Sequence, residues 1–139
     1  MNYLNHPLLN FKELDFLQQN IEKKDLKWED GKKTAGNHAA KVKNNLQLNR
    51  EADISKKYAR LISEKVLSNN LIKSFALPKK IHGIMFAKST KGMGYGRHVD
   101  NSYMSSGRAD LSFTIFLNNK DNYDGGELTI ECINSEERF

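Results

Sequence analysis

The chain has 139 residues, of which 38% are hydrophobic and 28% are charged. This length and balance fit one globular domain, or part of one, and do not favour intrinsic disorder. No stretch approaches the ~20 apolar residues of a membrane span, and the start of the chain lacks a signal-peptide pattern. We therefore expect no membrane association and a cytoplasmic location.

The formal net charge of +5 is unevenly distributed. Residues 1–80 hold 16 Lys/Arg against 9 Asp/Glu, a balance of +7, whereas residues 81–139 hold 6 against 8, a balance of −2. A basic excess can attract nucleic acid, but these lysines are scattered without the interleaved aromatic residues of a strand-binding groove. Nucleic acid is thus not favoured as a partner. A binding module whose basic first half engages an acidic partner stays open as an alternative function.

A single cysteine, Cys132, excludes an internal disulfide and a zinc site built from several thiolates. It alternates with Leu128 and Ile130, which is typical of a small buried residue in a strand.

Helical patterns occupy the first half of the chain. Asn10 followed by Glu13 has the form of a capping box and predicts a helix over about residues 11–23. Apolar residues at intervals of about four predict a second helix near 51–68. A further helical turn is expected over 71–77, before Pro78.

Short extended segments dominate the second half. The segments predicted as strands or extended chain are 26–28, 81–87, 93–100, 111–117 and 127–133. The clearest alternation of apolar and polar residues is in 111–117, with 127–133 as its hairpin partner across a turn that contains Gly125 and Gly126. Residues 134–139 suggest a turn into another strand. We therefore predict an α+β protein with a mostly helical support region (1–80) and an antiparallel region (81–139), forming one structural unit.

The motif His98-Val99-Asp100 carries the main chemical information. On a strand, side chains two residues apart point to the same face with about 6.6 Å between their backbone positions, so both can reach one cation. An imidazole and a carboxylate suit a divalent metal such as iron, but a bare motif of this kind is also compatible with a simple hydrogen-bonded pair. The glycine-rich segment before it, which contains Tyr95, lets backbone approach a ligand closely and favours the metal site.

Several separate blocks of the chain reinforce this interpretation. They are Thr34-Ala-Gly36 with residues 41–48, Ala76-Leu-Pro78, residues 93–101, Arg108-Ala-Asp110-Leu-Ser112, and residues 123–128. In order and spacing they resemble the PKHD-type hydroxylases, iron(II)- and 2-oxoglutarate-dependent dioxygenases related to prolyl 4-hydroxylases. The resemblance covers nearly the whole chain.

This resemblance implies a double-stranded β-helix (jelly roll) with helices packed outside. It implies that His98 and Asp100 bind Fe(2+), with 2-oxoglutarate as co-substrate, O2 as oxidant and L-ascorbate as reductant. Oxidative decarboxylation of 2-oxoglutarate would be coupled to hydroxylation of a C–H bond in a small-molecule or peptidyl substrate. Tyr95 is predicted to bind 2-oxoglutarate or to be a structural aromatic residue. Lys43 and Asn44 are predicted to contact substrate, or else to shape a turn.

The resemblance also predicts what the chain lacks. The third iron ligand of the family is a distal histidine, and an arginine that pairs with 2-oxoglutarate follows it. Neither has a counterpart here, since His6, His38 and His82 lack the required spacing and Arg138 lies outside any matching motif. We expect these groups to lie beyond residue 139, so that the last part of the sheet is missing. A truncated non-catalytic fragment, completion by a second polypeptide, and a zinc- or manganese-bearing cupin-like protein remain alternatives.

Overall fold

The computed structural model describes residues 3–139 and combines helices with small antiparallel sheets. The helices are α1 (Phe11–Ile21), α2 (Asn37–Ala40), α3 (Asp53–Ser68) and α4 (Asn70–Ala76), with short 3₁₀ turns at Gly31–Thr34 and Lys120–Asn122. The strands are β1 (Trp28–Asp30), β2 (Lys43–Asn44), β3 (Leu46–Leu48), β4 (Ala87–Lys88), β5 (Gly94–Tyr95), β6 (Tyr103–Met104), β7 (Gly107–Arg108), β8 (Thr129–Glu131) and β9 (Glu136–Arg138). The predicted α+β class is confirmed.

These strands pair in four small sheets. One has three strands in the order β1-β3-β4, and the others are the pairs β2-β5, β6-β7 and β8-β9. Every pairing is antiparallel, and the pairs β6-β7 and β8-β9 lie in the region predicted to be antiparallel. The jelly roll itself stays a prediction, as does the division of the chain at residue 80. Strand β4 pairs with β3, so the second region adds a strand to a sheet of the first.

Helix α1 begins at the predicted capping box. The side chain of Asn10 accepts a hydrogen bond from the backbone N–H of Glu13, and the Glu13 carboxylate accepts one from the backbone N–H of Asn10, both at 3.0 Å. These two bonds satisfy backbone donors that have no partner inside the helix. One turn apart on the inner face, Leu17 and Ile21 are buried. The helix ends at Ile21, two residues before the predicted end.

Helix α3 supplies the largest part of the core. Tyr58, Ile62 and Val66 recur at intervals of four residues, and all three are buried. The core cluster consists of Leu17, Ile21, Leu48, Tyr58, Ile62, Val66 and Phe86. The Tyr58 and Phe86 rings meet edge to face with centroids 6.4 Å apart, which joins α3 to the chain just before β4.

The predicted strand over 111–117 is wrong. This segment forms no strand, and none of its backbone N–H groups donates to a carbonyl of residues 3–139. Alternation had indicated which side chains face inward, and Ile115 and Leu117 do pack against the core. A strand also needs a neighbour to satisfy its backbone groups, and the described residues provide none.

Other predicted strands are shorter or paired differently. Of the predicted segment 81–87 only Ala87 is in a strand, at the start of β4, and of 93–100 only Gly94–Tyr95 is a strand. Strand β8 pairs with β9, so the residues after 134 supply the predicted turn and strand, and 111–117 is not the partner. Gly125 and Gly126 have φ of +75° and +80°, but the hairpin that they were predicted to turn is not formed, because 111–117 is not a strand. Within residues 3–139, no helix combines the length and apolar character that crossing a lipid bilayer requires.

Candidate iron site

His98 and Asp100 lie in the loop that follows β5, and the structure brings their side chains together. The Nε2 atom of His98 is 3.4 Å from Oδ1 of Asp100. The motif was expected on a strand, but β5 ends at Tyr95, so the loop conformation brings the two groups together. The His98 side chain is 25% exposed and that of Asp100 63%, so the pair faces solvent from the carboxylate side.

The other ring nitrogen of His98 fixes the tautomer. Nδ1 lies 2.8 Å from the backbone carbonyl oxygen of Gly96. A carbonyl only accepts hydrogen bonds, so Nδ1 carries the proton and donates it to this oxygen. In the neutral imidazole this leaves the lone pair on Nε2, on the side of Asp100. A metal-binding histidine is oriented in this way, with its second nitrogen donating to a carbonyl or carboxylate.

The Tyr95 ring stacks on the His98 imidazole. Their centroids are 3.7 Å apart and their planes differ by 12°. Desolvation, followed by the negative charge of Asp100, raises the pKa of the Tyr95 phenol. The Tyr95 ring therefore contacts a proposed ligand directly, and its contact with 2-oxoglutarate stays a prediction.

Strand β2 lies beneath this stack. Its Lys43 pairs with Tyr95 in the β2–β5 register, and the Lys43 Nζ is 4.8 Å from the centre of the Tyr95 ring. Lys43 is only 4% exposed. Burial lowers its pKa, partly offset by the negative charge of Asp30. The neighbouring Asn44 is exposed, and its Nδ2 donates to the carbonyl of Gly92 at 3.2 Å.

Sequence reasoning did not anticipate the polar network around Lys43. The Lys43 Nζ donates to Oγ1 of Thr34 at 3.2 Å, and that hydroxyl lies 2.5 Å from Oε1 of the buried Gln47. Thr34 and Gln47 do fall in blocks that carry the family resemblance. Their types alone gave no sign that they meet, because the contact depends on how β2 and β3 follow the 3₁₀ turn.

Other residues singled out in the sequence lie outside this cluster of contacts. Arg108 and Asp110, from one of the blocks that carry the resemblance, form an ion pair with Nε and Oδ1 2.7 Å apart, and both side chains are about two-thirds exposed. Such an exposed pair contributes little to stability. His82 contacts the Ser106 hydroxyl, 2.5 Å from its Nδ1. Asn101 is exposed, and Cys132 is a partly buried free thiol.

The distance between the two donor atoms can be compared with the distance between two ligand atoms of one divalent metal ion. Two ligand atoms about 2.1 Å from one ion and at right angles lie about 3 Å apart. The 3.4 Å between Nε2 and Oδ1 is within a few tenths of an ångström of this value. It exceeds the 2.7–3.2 Å usual for an N–H···O bond. Residues 3–139 hold no group of three or more His, Cys, Asp or Glu side chains that could bind a metal. The pair fits two positions of a metal site.

Comparison with known proteins shows which proteins the chain resembles in sequence. The chain is 69% identical over 139 residues to a PKHD-type hydroxylase of Prochlorococcus marinus strain MIT 9215, and this match covers all of the chain. It is 65% identical to the corresponding protein of strain MIT 9301, and 52% identical over 133 residues to that of strain MIT 9303. The chain is homologous over its full length to proteins named PKHD-type hydroxylases. The resemblance seen in the sequence blocks is thereby confirmed.

The match covers only part of each relative. The chain spans 63% of the length of the MIT 9215 and MIT 9301 proteins and 60% of the MIT 9303 protein. No protein-family model matches the chain, and no solved structure matches it. The relation to this family therefore rests on similarity to part of each of these relatives.

Proposed function

We propose that this PKHD-type chain is part of an iron(II)- and 2-oxoglutarate-dependent dioxygenase that hydroxylates a C–H bond. One observation carries the proposal: an imidazole whose Nδ1 is held by Gly96 points its Nε2 toward Asp100 at 3.4 Å, in a chain 69% identical to a PKHD-type hydroxylase. The substrate class stays open between small molecules and peptidyl residues. L-ascorbate is the proposed reductant, and the cytoplasm the proposed location.

In this proposal His98 and Asp100 provide two of the three protein donors to Fe(2+), and the third comes from outside residues 3–139. When bound, iron with 2-oxoglutarate and O2 supplies the oxidising power for hydroxylation. The chain's own residues orient the donors. Gly96 keeps the proton on Nδ1 of His98, so that Nε2 can donate its lone pair to a cation. Asp100 contributes negative charge, which a hard divalent ion favours.

The jelly roll belongs to the same proposal. The predicted arrangement places 81–139 in the first part of this domain, with 1–80 as helical support. Exposed apolar side chains on the second region, among them Leu111 and Phe113, support this arrangement, because further strands would cover them. The predictions that Tyr95 contacts 2-oxoglutarate and that Lys43 and Asn44 contact substrate remain open within it.

The alternative of a binding module with a basic first half has less support. Five basic side chains of that half lie within 4.0 Å of a carboxylate, namely Lys27, Lys33, Lys56, Arg60 and Lys65. Each of these five charges therefore has an acidic neighbour, which weakens its attraction for an acidic partner.

Metal titration of the full chain tests the proposal. Co²⁺ can replace Fe²⁺ in air and reports its ligands by visible absorption. We expect binding that is lost in His98→Gln and in Asp100→Asn and retained in His82→Gln, because His82 pairs with Ser106 outside the motif. Equal binding by all four proteins, or none by the wild-type chain, would contradict the two-donor site.

A second experiment tests the reaction. The chain is joined, in the relative's own order, to the part of the MIT 9215 protein that it does not match, and succinate formation from 2-oxoglutarate is measured with iron and ascorbate. We expect succinate from the joined protein, and only background from its His98→Gln variant. A chain that forms succinate equally well without the added part would overturn the idea that a donor comes from outside.

A further inference from the structure

We infer that Tyr95 and Lys43 are positioning residues for the His98 imidazole. This inference rests on the proposed iron site, whose ligand the two residues would orient. Neither residue touches the metal in this role. Instead, the loop that carries His98 is held against strand β2.

Three contacts hold the glycine-rich segment, residues 92–96, against β2 and the residue before it. The backbone N–H of Gly96 donates to the carbonyl of Val42 at 2.8 Å. Tyr95 pairs with Lys43, and the side chain of Asn44 holds Gly92. Three consecutive residues, 42–44, thus hold the loop at successive points.

Gly96 transmits this alignment to the imidazole. Its N–H is held by Val42, and its carbonyl accepts the Nδ1 proton of His98. A Cβ on Gly96 would lie 3.0 Å from the Val42 Cβ and 3.4 Å from the Val42 carbonyl oxygen, so the approach is close enough to favour glycine. The hydrogen bond sets the direction of Nδ1 but leaves the ring free to tilt about it.

Tyr95 removes this remaining freedom. Its ring lies 3.7 Å from the imidazole and nearly parallel to it, so that the stack defines the plane in which Nε2 points. Lys43 in turn holds Tyr95, because its ammonium lies 4.8 Å from the ring centre and is attracted to the π electrons.

The environment of Lys43 explains why it serves better as a support than as a ligand contact. The side chain is almost fully buried, and its ammonium is bonded to Thr34 on the edge of a network that includes Gln47. A group held on the protein side in this way presents little surface to a molecule arriving from solvent. Of the two contacting side chains it is Tyr95, 38% exposed, that reaches solvent.

The test follows His98 directly by NMR. Histidine is labelled with ¹⁵N in the full chain, and long-range ¹H–¹⁵N spectra are recorded at about pH 8, where an ordinary imidazole is neutral. The signals of His98 are identified by their loss in His98→Gln. We expect wild type to show Nδ1 protonated and Nε2 bare, with ring protons shifted upfield by the stacked phenol.

Four variants separate positioning from general structure. Tyr95→Phe keeps the ring, and we expect an unchanged signature. In Tyr95→Leu the upfield shift of the His98 ring protons should be lost and both tautomers should be present. In Lys43→Met the upfield shift should be partly lost. Tyr103→Leu removes an exposed tyrosine elsewhere and serves as the matched control, with no effect expected. A wild-type signature in Tyr95→Leu would overturn the inference. So would the absence of both features from the wild-type spectrum, a measurement that needs no variant to fold.

Co²⁺ titration of the same samples distinguishes this inference from the proposed function. We expect Tyr95→Leu to bind about 10-fold more weakly, as is typical when a group that orients a ligand is removed. If wild type binds no Co²⁺ but keeps the His98 signature, the iron site fails and the positioning stands. If Tyr95→Leu binds Co²⁺ as tightly as wild type with the signature unchanged, the positioning fails and the iron site stands.

Discussion

Lys65 on α3 forms an ion pair with Glu13, the residue whose carboxylate also caps the start of α1. One side chain thus closes a helix end and joins two helices of the core. The hydrogen bond from Lys65, followed by that from the Asn10 backbone, lowers the pKa of the Glu13 carboxyl below its ordinary value of 4.5.

Replacing this carboxylate should change how the fold responds to acid. A lowered carboxyl pKa stabilises the fold above the unfolded-state value, and this contribution is lost as the pH falls through the folded-state value. Glu13→Gln should therefore be less stable than wild type at neutral pH, and the difference should shrink below about pH 4. Urea unfolding across this range measures both effects. Glu64→Gln removes an exposed pair with Arg60 and is the control. An equal acid response of all three proteins would contradict the assignment.

Gly31 is predicted to resist substitution because of close contact with Asn45. An added Cβ would lie 1.9 Å from the Asn45 Oδ1 and 3.0 Å from its carbonyl oxygen. That Oδ1 is buried and lacks a hydrogen-bond partner among the described residues. We expect Gly31→Ala to cost about 1–3 kcal/mol, as overpacking usually does. Gly36→Ala, where nothing lies within 4 Å, should stay within about 0.5 kcal/mol of wild type. Chemical denaturation compares the two, and equal midpoints would refute the close contact.

Local signals predicted the helices well. The capping box at Asn10 and the four-residue spacing in α3 depend on residues close in sequence, so they could be recognised without tertiary information. The strand predicted over 111–117 failed because a strand exists only with a partner, and alternation does not say whether one is present.

The site was predictable only in part for the same reason. His98 and Asp100 are two residues apart, and the motif together with the glycine-rich segment before it indicated a metal site. That Lys43 underlies Tyr95 depends on the register between two strands far apart in the chain. Lysine ordinarily prefers the surface, so nothing in the sequence indicated that Lys43 is buried. The family resemblance suggested a substrate contact instead.

Burial of Lys43 leads to a prediction at alkaline pH. Since burial lowers its pKa, the folded state binds its proton less tightly than the unfolded state does. The cost of burying the charge is fully present below the folded-state pKa and is relieved as the pH rises through that value toward 10.5. The methionine in Lys43→Met does not titrate, so its stability lacks this dependence on pH. From about pH 8 to about pH 10, wild type should gain stability relative to Lys43→Met in urea unfolding. Lys57→Met, on α3, provides a matched lysine, and a constant difference between wild type and Lys43→Met would contradict the prediction.

The unpaired segment 111–117 gives a direct test of the proposed jelly roll. Its backbone N–H groups lack carbonyl partners among residues 3–139, so its amides should exchange with D2O nearly as fast as those of an unfolded chain, whereas α3 should be protected. Joining the chain to the unmatched part of the MIT 9215 relative should provide neighbouring strands. A local opening free energy of about 3 kcal/mol would then slow exchange in 111–117 by about 100-fold. Peptide-resolved mass spectrometry measures this, with α3 as the internal reference. Exchange in 111–117 that stays fast in a joined protein with protected helices would show that this segment is not a strand of the completed sheet.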